Sequence, residues 1–148
     1  MTERATVREV ARDLGLSPRR VRQLVDENVL PPATEGTLDA DLCRRRYRLF
    51  TRDPTADWTH VYDDAIALAR LSDQLMARAL GPEAELPDVA EACLVVQNLM
   101  ADLRFITAVK SNTQSERSLF LSAWARQEHD ILAALIARAH EIAPEVTD

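Results

Sequence analysis

Few residues of this 148-residue chain have the types and spacing that catalysis or metal binding requires. The three histidines lie singly in helical stretches, and no Cys/His spacing matches a zinc site. The three glycines are too widely separated for a phosphate-binding loop of the G-x-x-x-x-G-K type. The acidic pairs Asp63-Asp64 and Glu83/Glu85 are interpreted as solvated faces. The sequence therefore predicts no catalytic residue, no metal site and no cofactor.

Arginine is the residue type whose placement indicates a chemistry, and that chemistry is nucleic-acid recognition. A guanidinium group matches the O6 and N7 atoms of guanine, and a glutamine amide matches adenine. A serine at a helix N-terminus favours a phosphate group. One short stretch combines all three kinds of residue, and we predict that it contacts DNA through Ser17, Arg19, Arg20, Arg22 and Gln23.

Two short helices must position these side chains. Thr6 and Glu9 form the sequence pattern of a capping box, which predicts the start of a first helix with an apolar face. Gly15 is suited to the left-handed turn at its end. Ser17 and Pro18 then open a second helix, whose inner face carries Val21, Leu24 and Val25. A helix-turn-helix places such a second helix in the major groove, whereas an ordinary helical hairpin would only expose its arginines to solvent.

A small wing and a basic helix are expected to follow. Glu35-Gly36 is a turn signal, and the segments Val29-Leu30 and Thr37-Leu38 on either side are predicted to pair. Asp39 is predicted to cap a helix that runs to about Phe50. This helix packs against the hairpin, and its outer arginines are candidates for phosphate contacts, which add affinity without sequence information: Arg44, Arg45 and Arg48.

The charge distribution divides the chain. Residues 1–52 hold 11 Lys+Arg against 8 Asp+Glu, whereas residues 53–148 hold 7 against 16. The shift falls at Asp53-Pro54, where the residue before proline avoids the helical region. We therefore predict a DNA-binding domain over 1–52 and a helical oligomerisation or partner-binding domain over 53–148. A basic head on an acidic body favours a polyanion on one surface and protein on another.

Three long helices are predicted in the second segment, because apolar residues recur there at alternating spacings of three and four. The predicted fold is thus all-α: an N-terminal winged helix-turn-helix followed by a bundle of about three long helices. Late in the last helix, apolar residues cover more than one face. This pattern favours burial against another subunit, or else a well-buried central helix, and the candidate interface is Ile131, Leu132, Leu135 and Ile136.

The sequence also carries signals about location. The polar N-terminus predicts no signal peptide, and no run is expected to reach the length that spans a membrane. Cys43 and Cys93 are widely separated within helical patterns, which predicts two buried, reduced thiols. We therefore expect a protein of the cytoplasm without a membrane partner.

The stretch "TVREVARDLGLSPRRVRQLVDENVLP" resembles the DNA-binding segments of two protein families. These are the MerR-type transcription regulators and the small subunits of lambda-type phage DNA-packaging terminases. MerR-type proteins have paired aromatic residues after an arginine of the second helix, but here Gln23-Leu24-Val25 follows Arg22. The short wing, the basic helix "DLCRRRYRLF" and the long helices directly after it are closer to the terminase small subunits.

The terminase resemblance, which covers roughly residues 5–52, implies roles for particular positions. Arg19, Arg20, Arg22 and Gln23 would read DNA, and Glu35-Gly36-Thr37 would lie near the adjacent groove. It also implies a homo-oligomer, either a dimer or a ring. The partners would be double-stranded DNA at a viral packaging site and a large subunit with ATPase and nuclease activity, in the cytoplasm of a bacterial host.

Two other functions remain open at the level of sequence. One is a dimeric, MerR-like transcription regulator whose helical body senses a ligand. The other is a protein-interaction adaptor whose helix-turn-helix never contacts DNA.

Overall fold

The computed structural model describes residues 3–51 and 58–144. The break predicted at Asp53-Pro54, and with it the proposed domain boundary, lies outside these residues. The described part of the chain is all-α apart from one very small sheet, which confirms the predicted fold class. We refer to residues 3–51 as the head and to residues 58–144 as the body.

The head contains three short helices and two strands of two residues each. Strand β1 is Arg4–Ala5, helix α1 is Val7–Leu14, helix α2 is Pro18–Asp26, strand β2 is Leu38–Asp39 and helix α3 is Ala40–Phe50. Helix α1 begins at the predicted capping box, in which the Glu9 amide donates to Thr6 Oγ1 and the Thr6 amide donates to the Glu9 carboxylate. The hydrogen bonds that Thr6 makes hold the pKa of Glu9 below its usual value.

The turn predicted at Glu35-Gly36 is present, but the strand pairing predicted beside it for a wing differs from the structure. Glu35 and Gly36 both have positive φ, as a tight hairpin turn requires, and Thr34 and Thr37 exchange backbone hydrogen bonds across it. The predicted pairing of Val29-Leu30 with Thr37-Leu38 is wrong, because Leu38 pairs with Ala5 of β1 instead. The amides of Val29 and Leu30 both donate to the Leu24 carbonyl at the end of α2, and their side chains are buried.

The body consists of three long helices. Helix α4 is Thr59–Ala79, helix α5 is Leu86–Lys110 and helix α6 is Gln114–Ile142. Helices α4 and α6 both pack along α5, and the predicted three-four seams of α4 and α5 face the interior. The carbonyl groups at the end of α4 accept hydrogen bonds from Arg138 of α6, at 3.2 Å for Ala79 and 2.7 Å for Gly81. This contact closes one end of the bundle.

The hydrophobic core of the head continues into the body. Val61 of α4 and Phe105 and Ala108 of α5 belong to the same buried cluster as the inner residues of α1, α2 and α3. A second cluster lies at the other end of the body, where Leu75, Val89 and Leu135 bring α4, α5 and α6 together. The head is therefore seated on the ends of α4 and α5 and is not simply attached by a linker.

Helix α5 is long and apolar enough to cross a membrane by length and composition, and it is the one such helix among the described residues. The expectation that no run reaches this length is therefore wrong. About a third of its most apolar 18-residue segment is buried inside the chain, where α5 lies between α4 and α6. A central bundle helix passes the same test of length and hydropathy, so composition alone does not separate the two environments.

Candidate nucleic-acid interface

The turn between α1 and α2 sets the direction of the candidate DNA-contacting residues. Gly15 has a φ of 70°, a left-handed conformation that costs glycine little, and its amide donates back to carbonyls of α1. Ser17 then caps α2, with its Oγ accepting the Arg20 amide at 3.1 Å. Val21 and Leu24 are fully buried beneath α2, so the rotation of this helix about its own axis is fixed by packing.

Arg19 and Arg22 are the freest of the predicted DNA-contacting residues. Both are exposed, and within the described part of the chain neither has a hydrogen-bond or ion-pair partner. Because no carboxylate neutralises them, their donors are available to an anion or to a base edge. Two exposed arginines of α1, Arg8 and Arg12, were not singled out from the sequence, although they lie outside its apolar face. They extend the set of cations in the head.

Arg20 and Gln23 are less free, because they bind each other. Arg20 Nη1 donates to Gln23 Oε1 at 2.9 Å. This bond uses the carbonyl oxygen of Gln23, which a two-point contact with adenine also needs. As the side chains stand, Gln23 can offer only its NH₂ group, and full adenine readout requires the Arg20 bond to open.

Two of the three arginines predicted on the outer face of α3, Arg44 and Arg45, are held by carboxylates of the head. Arg44 donates to Glu3 at 2.8 Å and to Asp13 at 2.9 Å, and these partners raise its pKa further above its ordinary value. Arg45 Nε lies 3.1 Å from Oδ2 of Asp41 in the same helix. A phosphate would therefore compete with existing ion pairs at both positions. Arg48 is exposed near the end of α3.

Arg46 is the arginine of α3 that the sequence analysis left out. It is 6 % exposed and pairs with Asp102 of α5, and its guanidinium lies 4.7 Å from the centre of the Phe105 ring. Burial lowers the pKa of Arg46 and raises the pKa of Asp102, and the opposite charge of each partner counteracts the effect. Residue 46 lies four positions after Leu42 and three before Leu49, so helical spacing alone could have placed it on the inner face.

An aromatic stack continues from this ion pair to the protein surface. The Phe105 ring stacks on Trp58 with ring centres 5.8 Å apart, and Trp58 stacks on Tyr62 at 5.9 Å. Lys110 lies 4.4 Å above the Trp58 ring. The stack joins α3, α4 and α5, and it ends at a partly exposed Tyr62. The three rings belong to the body, and the Arg46 guanidinium over Phe105 connects them to the head.

A cleft of about 800 Å³ opens between the head and the body. The head contributes Arg4, Pro32 and Arg45 to its wall, and the body contributes Asp64, Leu94 and Gln97 among others. Two charge pairs in the wall, Arg46–Asp102 and Arg104–Glu128, are already satisfied within the chain. The remaining surface is a mixture of polar groups and apolar side chains, and a group of three metal-binding side chains is absent from the described residues.

The four predicted interface residues of α6 do not form one exposed surface. Leu135 is fully buried in the core of its own chain, and Ile131 and Leu132 pack against that core. Only Ile136 is largely exposed, at 55 %. Their apolar character is therefore used mainly to hold α6 on α4 and α5, which corresponds to the buried-helix alternative.

Comparison with known proteins gives no match for this chain among protein-family models, curated proteins or solved structures.

Proposed function

We propose that this protein binds double-stranded DNA through the outer face of α2 and assembles with copies of itself through its helical body. The observation that carries the proposal is the pair of exposed arginines, Arg19 and Arg22, which have no partner among residues 3–51 and 58–144 and lie on a helix whose opposite face is buried in a core. A rigid helix that presents free guanidinium groups has the geometry for major-groove contacts. The excess of basic residues over 1–52 adds sequence-independent attraction to the phosphate backbone.

Within this proposal, the role we favour is that of a phage terminase small subunit. The protein would recognise the packaging site, assemble several heads on it and present the DNA to a large ATPase/nuclease subunit. Support comes from the resemblance of the head and from its direct continuation into long helices. Several linked heads also gain affinity from one another, which offsets the small surface of a single head. No catalytic role is proposed for this chain.

The cleft favours a second candidate, a dimeric MerR-like regulator. A cavity of about 800 Å³ has the size of a small-molecule site, and both the head and the body line it. A ligand there would contact both parts and so could change how the head is held. Subunit counting separates the two candidates: a ring of more than four copies favours the terminase role, and a plain dimer favours the regulator.

The DNA contact is tested by removing both free arginines. We expect Arg19→Ala/Arg22→Ala to lose most of its affinity for duplex DNA in a gel-shift titration, because each base-edge contact contributes about 1–3 kcal/mol. A mixed-sequence duplex pool at low salt serves as the probe, followed by selection of the preferred site. A smaller dependence of affinity on salt is expected as well.

The matched control removes the same charge from the body. Arg78→Ala/Arg126→Ala takes two exposed arginines from α4 and α6 and should leave binding unchanged. An equal loss of DNA affinity in both double variants would show that net charge alone causes the effect. A wild-type protein that binds no duplex even at low salt would exclude the DNA function.

A further inference from the structure

One side of α4 carries a mainly apolar stripe that the described residues of its own chain leave largely exposed. The stripe consists of Tyr62, Ile66, Ala69, Asp73, Met76 and Leu80, spaced 4-3-4-3-4 along the helix and into the residue that follows it. Tyr62, Ile66 and Leu80 are 40 %, 50 % and 53 % exposed, whereas Met76 is half-buried against the core of the body. The stripe lies beside the row that packs on α5, so α4 carries two apolar faces, of which one is occupied.

The geometry points to a second copy of this chain as the occupant, and we propose that two α4 helices pair antiparallel along this stripe. This inference rests on the self-association proposed above and names its surface. The spacing 4-3-4-3-4 is the same in both directions along the helix. When two α4 helices lie antiparallel, the stripe of one helix therefore faces the stripe of the other. Tyr62 then faces the partner's Leu80, and Ile66 faces the partner's Met76. A twofold axis requires such a self-complementary surface.

Charge complementarity supports the same register. Asp73 is the one acidic or basic residue within the stripe, and Arg70 lies on the edge of the stripe. Within the described residues neither has an ion-pair partner. In the antiparallel register, Arg70 lies next to the partner's Asp73, and the twofold axis repeats the contact. Pairing therefore supplies a counter-ion for the only carboxylate that the apolar surface would otherwise desolvate.

The position of the stripe also determines where the two heads lie. Its first residue, Tyr62, ends the aromatic stack that runs under the head, so the heads occupy opposite ends of the paired helices. At 1.5 Å per residue the two copies of Thr59 are about 36 Å apart along the helices. Half-sites on DNA one helical turn apart are separated by about 34–36 Å. The dimer thus spaces the starts of its two α4 helices, next to which the heads are seated, on the scale of one DNA turn.

The test measures the mass of the full chain by sedimentation velocity. We expect wild-type protein to sediment as a dimer or as an even-numbered assembly built from such dimers, and Ile66→Arg to weaken this pairing by roughly a hundredfold, because an unpaired guanidinium would enter the apolar contact. The matched control is Leu71→Arg, which introduces the same group at a 39 % exposed leucine on another side of α4. It should keep the wild-type mass. Ile136→Arg examines the surface predicted on α6 and should also keep the wild-type mass.

A charge exchange provides the second arm of the test. Arg70→Glu alone should weaken the dimer, and Arg70→Glu/Asp73→Arg should restore it, since antiparallel pairing joins these two positions. This arm also decides the question if Ile66→Arg fails to fold. The inference is overturned if wild-type protein is monomeric, if Ile66→Arg keeps the wild-type mass, or if Ile136→Arg is the variant that dissociates. None of these results bears on DNA binding by Arg19 and Arg22, which the gel shift measures separately.

Discussion

At the scale of single residues, the environment of each side chain decides its reactivity. Cys43 is fully buried in the core of the head, and burial, together with the charge of Asp39, raises the pKa of its thiol to about 11. Cys93 on α5 is only half-buried, and burial raises its pKa as well. The prediction that both thiols are buried therefore holds for Cys43 and not for Cys93.

We predict that Cys43 in the folded protein does not react with a thiol reagent at pH 8, and that Cys93 reacts faster. The thiolate is the reactive form, and Cys43 is neither ionised nor accessible at that pH. Cys43→Ala and Cys93→Ala variants, each with one thiol left, assign the rates, and unfolding in guanidinium should make them equal. Rapid labelling of Cys43 in the native state would contradict its placement in the core.

The same pKa shift gives a dependence of stability on pH. The folded state holds the Cys43 proton more tightly than the unfolded state, so the free energy of unfolding falls as pH rises from about 9 to about 11. Below this range both states are protonated, and the contribution is constant. Part of this decline should disappear in Cys43→Ala.

At the scale of elements, the wing shows how a distant residue completes a local motif. Arg4 of β1 donates to the Thr37 carbonyl at 2.6 Å, to Thr37 Oγ1 at 3.1 Å and to the Thr34 carbonyl at 3.4 Å. The turn at Glu35-Gly36 could be predicted from its residue types. The strand that pairs beside the turn, Arg4–Ala5, could not be predicted. Two residues are too few to show an alternation of apolar and polar side chains, and they lie more than thirty positions before the strand with which they pair. The amides of Val29 and Leu30 bind the Leu24 carbonyl, and Leu38 pairs with Ala5 of β1.

We predict that Arg4→Ala loosens the wing without unfolding the head. The loss of its hydrogen bonds should lower the free energy of unfolding by about 1–2 kcal/mol, measured by urea denaturation. Hydrogen exchange at the Thr34 and Thr37 amides should accelerate at the same time. Arg8→Ala, which removes an exposed arginine from α1, is the control and should change neither quantity. Unchanged exchange in Arg4→Ala would mean that the turn is held by its backbone alone.

At the scale of the whole molecule, the buried Arg46–Asp102 pair fixes how the head sits on the body. Its two charges come from α3 and α5 and lie at the base of the aromatic stack. Such pairs contribute little net stability compared with apolar residues of similar size, but the loss of one partner leaves a charge buried without compensation. Any other arrangement of the head on the body would separate the pair and would therefore be less stable.

A double-mutant cycle measures this contribution. We expect Arg46→Met and Asp102→Leu each to lower the free energy of unfolding by about 3–5 kcal/mol, and the double variant to recover most of the loss. Guanidinium denaturation followed by tryptophan fluorescence reports the transition, because Trp58 lies in the same stack. The exposed pair Arg45–Asp41 is the control, and its removal should cost less than about 1 kcal/mol. Additive losses at Arg46 and Asp102 would show that they do not interact.

The amino-acid sequence by itself determined the parts of this protein that depend on neighbours along the chain. Capping residues, a glycine in a left-handed turn and three-four spacing specify the helices, their ends and the buried side of α2, so the outward direction of Arg19 and Arg22 was predictable. Only the tertiary structure decided which of the many arginines are free, since Arg44 and Arg46 meet carboxylates 31 and 56 residues away. It likewise placed Leu135 in the core and left Tyr62, Ile66 and Leu80 of the α4 stripe exposed. Apolar periodicity shows that a helix face will be buried, but the partner that buries it is set by packing in three dimensions.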